Sequence, residues 1–319
     1  MQTEKIMHYL QALYSQLSFG PDLTLGTLTI TPITSLGATH SDQFLSNLIA
    51  LDVAYEKSCV SIREIGEMGS VQEILITNNC GSPLIILEGQ GLEGAKQNRV
   101  VQKTVVVPSK TTITVPVNCV EKGRWNYKSA EFKPAKYSAG PSVKMRKASA
   151  MKISESMIQS EVWAEVAEMS HRFESYSSTD DMCEVLEQAS IRNEFESHQL
   201  KQLIRNFEGY GYKVSGGPFE FIELFGLKEW AKSALEKSIV EWQLEAKNTS
   251  SNKNLLPLSI LESDWIKRES VGDENQWLAV THCTGMSAEY EGVILHTFIA
   301  PDDNKHRLRR RRTPIFDVE

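Results

Sequence analysis

Polar side chains are concentrated directly after a short apolar run in the first third of the chain. The run Pro83–Leu87 reads as a buried strand. Residues 88–99, which we call motif 1, then place three glycines, two carboxylates, two cations and three amides within twelve positions. Carboxylates beside cations can perform acid–base chemistry or bind anions, and amides offer donors and acceptors together. Motif 1 is therefore the first candidate for a functional site.

The glycines of motif 1 match known nucleotide-binding patterns in spacing alone. Gly89, Gly91 and Gly94 fit the dinucleotide fingerprint, but that fingerprint requires a following helix, and the valines after Arg99 favour a strand. A phosphate loop would need lysine in place of Ala95, and a kinase glycine loop would need catalytic segments that the sequence lacks. Two interpretations stay open: backbone N–H groups that converge on an anion, or a twisted hairpin with a glycine bulge.

A second polar segment ends a later predicted strand. Val117–Trp125, which we call motif 2, supplies a thiol, a carboxylate, a guanidinium and an indole. If residues 100–117 form a hairpin, motifs 1 and 2 lie at the same edge of the sheet. The residues then expected around one cleft are Glu88, Glu93, Lys96, Arg99, Glu121 and Arg124.

The residue types suggest roles within this cleft. Carboxylates are acid–base candidates, arginine grips phosphate or carboxylate in bidentate fashion, and an indole can stack on a base. Cys119 is either a nucleophile beside cations or a free, half-buried cysteine at a strand end. The assignments are Glu121, Glu88 and Glu93 as catalytic residues, and Lys96, Gln97, Asn98, Arg99, Arg124, Trp125 and Cys119 as ligand-binding residues.

The two motifs carry a resemblance to a known family. Gly94–Arg99, followed about twenty residues later by Val115–Trp125, resembles the domain family named for its association with ADP-ribosylglycohydrolases and rhodanese-phosphatases. Weaker similarity extends over most of the chain. It covers Leu48–Lys57, Val71–Asn78, Phe221–Trp230 with Glu223-Leu224-Phe225, and the segment Val293–His296.

The resemblance implies a function by association. Neighbours of this family process NAD-derived nucleotides in prokaryotic conflict systems, such as phage defence. A phosphorylated ligand of the ADP-ribose, NAD-derived or cyclic-nucleotide kind is therefore expected, which the protein binds and could also process. Family members commonly have acidic residues where this chain has Gln90 and Gly91. If such a carboxylate is catalytic or binds a metal, this protein is expected to bind the ligand without processing it. A non-enzymatic interaction protein is the alternative.

The elements that must position these motifs are predicted from periodicity. Short strands with short turns between residues 60 and 117 indicate an antiparallel sandwich or barrel-like sheet. The chain then turns helical, with one long helix expected over Met151–Met169 and a cap at Asp181. Further predictions are helices over residues 4–17, Ser41–Lys57 and Leu227–Leu244, two strands within Tyr212–Phe225, a polar loop over Asn248–Asn254, and final strands Trp277–Cys283 and Tyr290–Ile299.

The predicted fold class is α+β, an antiparallel β core with a helical insertion and a returning α+β segment. The expected organisation is a β-rich domain at 1–142, a helical insertion at 143–209, an α+β segment at 210–300 and a basic tail at 301–319. The Met-rich face of the helical segment is a surface that a second copy could cover, so a homo-oligomer is considered.

Bulk properties narrow the class of partner. The chain has 319 residues, a net charge of −7 and 41% hydrophobic residues, which is typical of a globular protein. Subtracting the six positive charges of the tail leaves −13, so nucleic acid is an unexpected partner except through the tail residues Arg309, Arg310, Arg311 and Arg312. No apolar run is long enough to cross a bilayer, and no signal-peptide pattern is recognised.

The cysteines and histidines do not form a recognisable metal pattern. Five scattered cysteines without a CxxC pair predict a reducing, cytoplasmic compartment and no disulfide scaffold. His282, Cys283 and His296 could approach each other as metal ligands, but no carboxylate is spaced with them. We therefore predict no metal site, and no cofactor is identified.

Overall fold

The computed structural model describes residues 15–37, 40, 42–151, 154–193, 198–216, 219–248, 264–270, 276–280, 283–290 and 293–301. The expected helix at 4–17 and the loop at 248–254 lie mostly outside the described residues. His282 and the basic tail also lie outside them. Among the described residues, no helix is long and apolar enough to cross a membrane.

The fold is α+β, as predicted, and its largest sheet has nine strands in the order β1-β3-β13-β14-β18-β17-β15-β16, with β2 paired to β3. Its strands are β1 (Ser18–Phe19), β2 (Leu23–Leu25), β3 (Leu28–Ser35), β13 (Gly211–Gly216), β14 (Phe219–Phe225), β15 (Asp264–Ser270), β16 (Gln276–Val280), β17 (Cys283–Tyr290) and β18 (Val293–Pro301). Because β3 pairs with β13, this sheet joins segments that the sequence assigned to separate units.

A six-stranded antiparallel sheet carries both motifs, and it is nearly closed into a barrel. Its order is β12-β8-β9-β11-β6-β5. The strands are β5 (Val60–Glu64), β6 (Glu73–Asn78), β8 (Gly91–Gly94), β9 (Arg99–Val101), β11 (Thr111–Cys119) and β12 (Phe132–Pro134). Ser61 and Arg63 of β5 donate to the carboxylate of Glu131, just before β12, at 3.1 and 2.6 Å. These bonds bring the two edge strands together.

The second half of the valine-rich run after Arg99 was predicted to continue the barrel, but it belongs to a small third sheet. This sheet contains β4 (Ile49–Ala50), β7 (Leu84–Ile86) and β10 (Val105–Val107), in the order β10-β7-β4. The valine-rich run after Arg99 therefore divides between two sheets. Between the two halves, the hydroxyl of Thr104 accepts a hydrogen bond from the Glu88 amide at 3.0 Å, which fixes the chain where it changes sheet.

The helices differ from prediction in two places. They are α1 (Asp42–Leu45), α2 (Leu51–Glu56), α3 (Pro141–Met151), α4 (Ile158–Arg172), α5 (Met182–Arg192), α6 (His198–Asn206) and α7 (Lys228–Asn248). The helix expected at Ser41–Lys57 is interrupted by β4. The helix expected over Met151–Met169 is split, because Ser154 caps a new 3-10 turn by accepting from the Ser156 amide. Asp181 caps α5, as predicted.

The apolar cores lie on both sides of the motifs. One fills the barrel with side chains such as Ile76, Val101 and Val117. Another packs α7 on the nine-stranded sheet, where Tyr212 and Trp242 meet edge to face at 5.0 Å. Helices α3–α5 form a further core beside the barrel. Motifs 1 and 2 thus lie on strands whose other faces are anchored by packing.

The cysteine prediction was wrong for one pair. Cys59 and Cys80 form a disulfide between the residue before β5 and the loop after β6. The pairing depends on the β5–β6 hairpin, which brings the two residues to a Cα–Cα distance of 5.0 Å across 21 positions of sequence. Cys119 and Cys183 are free.

Replacing both bridged cysteines, Cys59→Ala with Cys80→Ala, should lower the free energy of unfolding by about 3 kcal/mol, the loop-closure value for a crosslink of this span. Denaturant unfolding with and without dithiothreitol measures it. The reductant should destabilise the wild-type protein and leave the double variant unchanged. Equal stability of the two proteins under oxidising conditions would contradict the role of the bridge.

Candidate functional site

Strand pairing brings motifs 1 and 2 together. In the barrel, Cys119 lies opposite Arg99, and Val117 lies opposite Val101. The end of β11 therefore runs beside the start of β9, and the loop after β11 covers the turn between β8 and β9. The sequence expected this juxtaposition from a hairpin, and it occurs although β10 leaves the hairpin for another sheet.

The Glu121 carboxylate is surrounded by donors. Arg124 binds it in bidentate fashion, with Nε at 2.7 Å from one oxygen and Nη2 at 2.6 Å from the other. The backbone N–H of Asn98 donates to the same carboxylate at 2.9 Å, and the Thr179 hydroxyl donates to it at 3.0 Å. Four donors fill the acceptor sites of a carboxylate, so Glu121 serves as a hydrogen-bond acceptor within the fold.

Arg124 is equally occupied. Its Nη1 donates to the carbonyl oxygens of Ala95 and Asn126 at 2.7 and 2.9 Å, and its Nη2 also reaches the Gly94 carbonyl at 3.3 Å. The guanidinium therefore fastens the β8–β9 turn to the loop after β11. Arg124 was predicted to bind a ligand anion; in this structure its donors connect two protein segments.

Two amides of motif 1 are also bonded within the protein. Gln97 Nε2 donates to the Glu121 carbonyl at 3.0 Å, and its oxygen accepts from Arg99 Nη1 at 2.7 Å. Asn98 Nδ2 donates to Asp181 Oδ2 at 2.9 Å, at the start of α5. Both amide side chains are buried. They connect the barrel to the helical segment.

Asp181 lies in this cluster as well as capping α5. Its Oδ1 accepts from the Cys183 amide at 3.0 Å, while Oδ2 faces Asn98. Burial, with a further contribution from the nearby Glu121 charge, raises the pKa of Asp181 from 3.8 to about 6. The sequence identified this residue as a cap but gave no sign that it contacts motif 1.

Lys96 and Arg99 both donate to the turn between β5 and β6. Lys96 Nζ donates to the carbonyl oxygens of Glu67 and Met68 at 2.6 and 2.9 Å. Arg99 Nη2 donates to the Ser70 carbonyl at 3.1 Å. Burial lowers the pKa of Arg99, and an arginine stays charged at neutral pH even so.

Two aromatic rings beside Lys96 reach the surface. The ammonium lies 5.3 Å from the Trp125 ring centre and 5.0 Å from that of Tyr127, within cation–π range. Trp125 is 40% exposed and Tyr127 is 52% exposed. Tyr127 was not among the predicted residues, although its place two positions after Trp125 was a usable signal.

Cys119 is placed as a structural residue. Its amide donates to Gln159 Oε1 at 2.8 Å, and its carbonyl accepts from Gln159 Nε2 at 2.9 Å. Burial raises the pKa of its thiol, which keeps it protonated and unreactive at neutral pH. Of the two interpretations made from the sequence, the geometry fits the free cysteine at a strand end.

Glu93 and Glu88 do not join the cleft expected from the sequence. Glu93 pairs with Lys133 across β8 and β12 at 2.8 Å, and both side chains are partly exposed. Glu88 is buried and pairs with Lys147 of α3. The six residues expected around one cleft therefore divide among separate places.

Glu88 belongs to what we call the buried charge network. The members of this network are Glu88, Thr104, Lys144, Lys147, Tyr212, Glu223 and His296, all of them buried. Glu223 accepts from Lys144, from His296 Nε2 at 2.8 Å and from the Tyr212 hydroxyl at 2.9 Å. Although burial opposes its charge, these partners hold the pKa of Glu223 at about 2.

Sequence reasoning missed the lysines of this network. Lys144 and Lys147 lie three residues apart on α3, on the same buried face as Ala148 and Met151. Lysines at positions of an apolar helical stripe were therefore a signal of buried pairing. The carboxylate partner of Lys144 lies 79 residues away and that of Lys147 lies 59 residues away. Both are too far for a local pattern to reveal.

The glycines of motif 1 serve backbone packing. A Cβ at Gly91 would lie 2.0 Å from the Tyr137 carbonyl oxygen, and one at Gly94 would lie 2.4 Å from the Ser129 hydroxyl. The amide of Ala139 donates to the Gly89 carbonyl at 2.8 Å. Of the two open interpretations, close packing of a hairpin fits these contacts. An acidic side chain at position 91 would find no space.

The fold and site define an α+β protein with a barrel-like sheet and a polar clamp between two sequence motifs. The family model for the ARPP-1 domain, the ARG and Rhodanese-Phosphatase-superfamily-associated Protein domain, matches residues 16–302. The chain belongs to this family, as its resemblance indicated. No curated protein and no solved structure matches it.

Lys147→Met should lower the free energy of unfolding by roughly 3–5 kcal/mol, because Glu88 then stays buried without its counter-ion. Adding Glu88→Gln should recover much of this loss. The matched control is Lys133→Met at the partly exposed Glu93 pair, with an expected loss below about 1 kcal/mol. Urea unfolding measures all three, and equal losses for the two lysines would contradict the buried pairing.

The unfolding free energy should depend on pH through Asp181. Its pKa in the folded protein is raised from 3.8 to about 6. The stabilisation that the protonated Asp181 contributes is therefore complete below pH 3.8 and is lost as the pH rises through 6. Relative to Asp181→Asn, the wild-type protein should lose up to about 3 kcal/mol across this window. Parallel stability profiles of the two proteins would contradict the shift.

Proposed function

We propose that this protein binds a phosphorylated nucleotide-type ligand at the surface formed by Trp125, Tyr127 and Lys96. One observation carries the proposal, the ammonium of Lys96 beside two rings that are about half exposed. Exposed aromatic faces stack on bases with about 1–3 kcal/mol per base. A cation beside them suits a phosphate of the same ligand.

The charge around this surface supports an anionic ligand. Lys96 donates to backbone carbonyls rather than to a carboxylate, so its positive charge is not cancelled by those partners. The same loop contains Lys122 and Lys128, both exposed. Membership of the ARPP-1 family, whose name records an association with ADP-ribosylglycohydrolases, favours ADP-ribose or another NAD-derived nucleotide, with cyclic nucleotides as a related class.

We assign binding rather than processing to this surface. Glu121, the acid–base residue expected from the sequence, has its acceptor sites filled by Arg124, Asn98 and Thr179. A general base must be free to take a proton from the ligand. Arg124 likewise acts from beneath the surface: it holds the β8–β9 turn, which carries Lys96, to the loop that carries Trp125.

An interaction protein is the second candidate. Met68, which is 81% exposed, lies in the turn whose carbonyl groups bind Lys96, so it adds an apolar side chain near the two rings. Exposed aromatic and methionine side chains are also typical of protein-binding surfaces. A ligand screen separates the two candidates, since only the first predicts stabilisation by a small molecule.

Thermal unfolding with ADP-ribose, NAD and cyclic nucleotides tests the proposal. A ligand at 100 times its Kd should stabilise the folded protein by about 2.7 kcal/mol. Trp125→Ala and Tyr127→Ala should each weaken binding about tenfold, because each removes a stacking face. The control is Tyr176→Ala, which removes a 60% exposed ring elsewhere. A wild type unaffected by every ligand, or one whose response survives both ring variants, would sink the proposal.

A further inference from the structure

The turn Gly66–Ser70 lies directly over the two cations of motif 1. Lys96 Nζ donates to two of its carbonyl oxygens at 2.6 and 2.9 Å, and Arg99 Nη2 donates to a third at 3.1 Å. Three oxygens of one short segment thus converge on an ammonium and a guanidinium. A phosphate group presents oxygens to cations in a comparable way.

The carbonyl oxygens are neutral partners for these cations. A phosphate accepts the same hydrogen bonds and adds the Coulomb attraction of its own negative charge. Arg99 is fully buried, and its nearest carboxylate, that of Glu64, lies 3.8 Å from Nη2. Within the part of the chain that the structure describes, Arg99 Nε makes no hydrogen bond, although the Cys119 sulfur interacts with the guanidinium. The donors that an anion could take over are therefore Lys96 Nζ and Arg99 Nη2, which now bind the three carbonyl oxygens.

Two glycines in the left-handed backbone region bound the exposed part of the turn. Gly66 and Gly69, at either end of its exposed part, have φ of +63° and +72°, a region that other residues occupy at a cost. Between them, Glu67 and Met68 direct exposed side chains away from the core. The contacts with Lys96 and Arg99 are made by its backbone alone.

We propose that Lys96 and Arg99 form a phosphate site, and that the turn Gly66–Ser70 closes it in the free protein. The ligand's phosphate oxygens replace the three carbonyl oxygens when the turn swings aside. Lys96 then contacts the phosphate while Trp125 and Tyr127 stack on the base. This inference rests on the proposed function and adds the closing segment and the second cation to it.

Gly66→Ala tests the closing role of the turn. A Cβ at this position would meet nothing within 4 Å, so the substitution strains only the closed backbone. When a closed state competes with the ligand, weakening that state raises the apparent affinity. Calorimetry measures the affinity of inorganic pyrophosphate and of ADP-ribose. We expect each to bind about fivefold tighter to this variant than to the wild type.

The matched control is Gly26→Ala in the β2–β3 turn. Gly26 has φ of +60° and equally open space for a Cβ, but it lies in the nine-stranded sheet, so binding should equal that of the wild type. Lys96→Met should remove pyrophosphate binding. Amide hydrogen exchange of residues 66–70 should become faster when pyrophosphate is bound to the wild type.

The outcomes separate the two proposals. If the wild type binds ADP-ribose but Gly66→Ala binds it no more tightly, the closing role of the turn fails and the proposed function stands. Unchanged or slower amide exchange in the turn on binding would also overturn the closing role. If wild type, Gly26→Ala and Gly66→Ala all fail to bind either probe, both proposals fail together.

Discussion

The ion pair between Glu121 and Arg124 is the interaction on which the arrangement of both motifs depends. The Glu121 side chain is 6% exposed and that of Arg124 is 13% exposed, and burial of charge is costly unless the polar atoms find partners. Here the partners come from separate segments. Arg124 reaches the β8–β9 turn, and Glu121 reaches Asn98 and Thr179. One pair therefore fixes a hairpin, a strand end and the approach to α5.

This constraint explains why the polar residues of the motifs do not form an open cleft. Glu64, Glu121 and Asp181 supply three carboxylates, and Lys96, Arg99 and Arg124 supply three cations. Further positive charge comes from the exposed Lys122 and Lys128 of the loop that carries the rings. The hydrogen-bond capacity of the cluster is mostly spent between protein groups. The surface left for a ligand is formed by the rings of Trp125 and Tyr127, beside the buried Lys96.

Local patterns predicted most strands but not every partner. Alternation and turn residues located β5, β6 and β11, and the expected hairpin brought Cys119 beside Arg99. The departure of β10 to another sheet was not predictable, since a run of valines suits either sheet equally. The disulfide was missed for a related reason: it depends on how a hairpin places two cysteines 21 positions apart.

The buried charge network shows what sequence patterns conceal and what such a network contributes. Lys144 and Lys147 are charged residues on a helix, which are usually solvated, and their partners come from distant strands. Buried ion pairs add little net stability compared with apolar packing. They do select one arrangement, because sliding α3 by a turn would separate two buried lysines from their carboxylates. Lys144 pairs with Glu223 and so holds α3 on the nine-stranded sheet, while Lys147 pairs with Glu88, the first residue of motif 1, and so fixes where the motif enters the barrel.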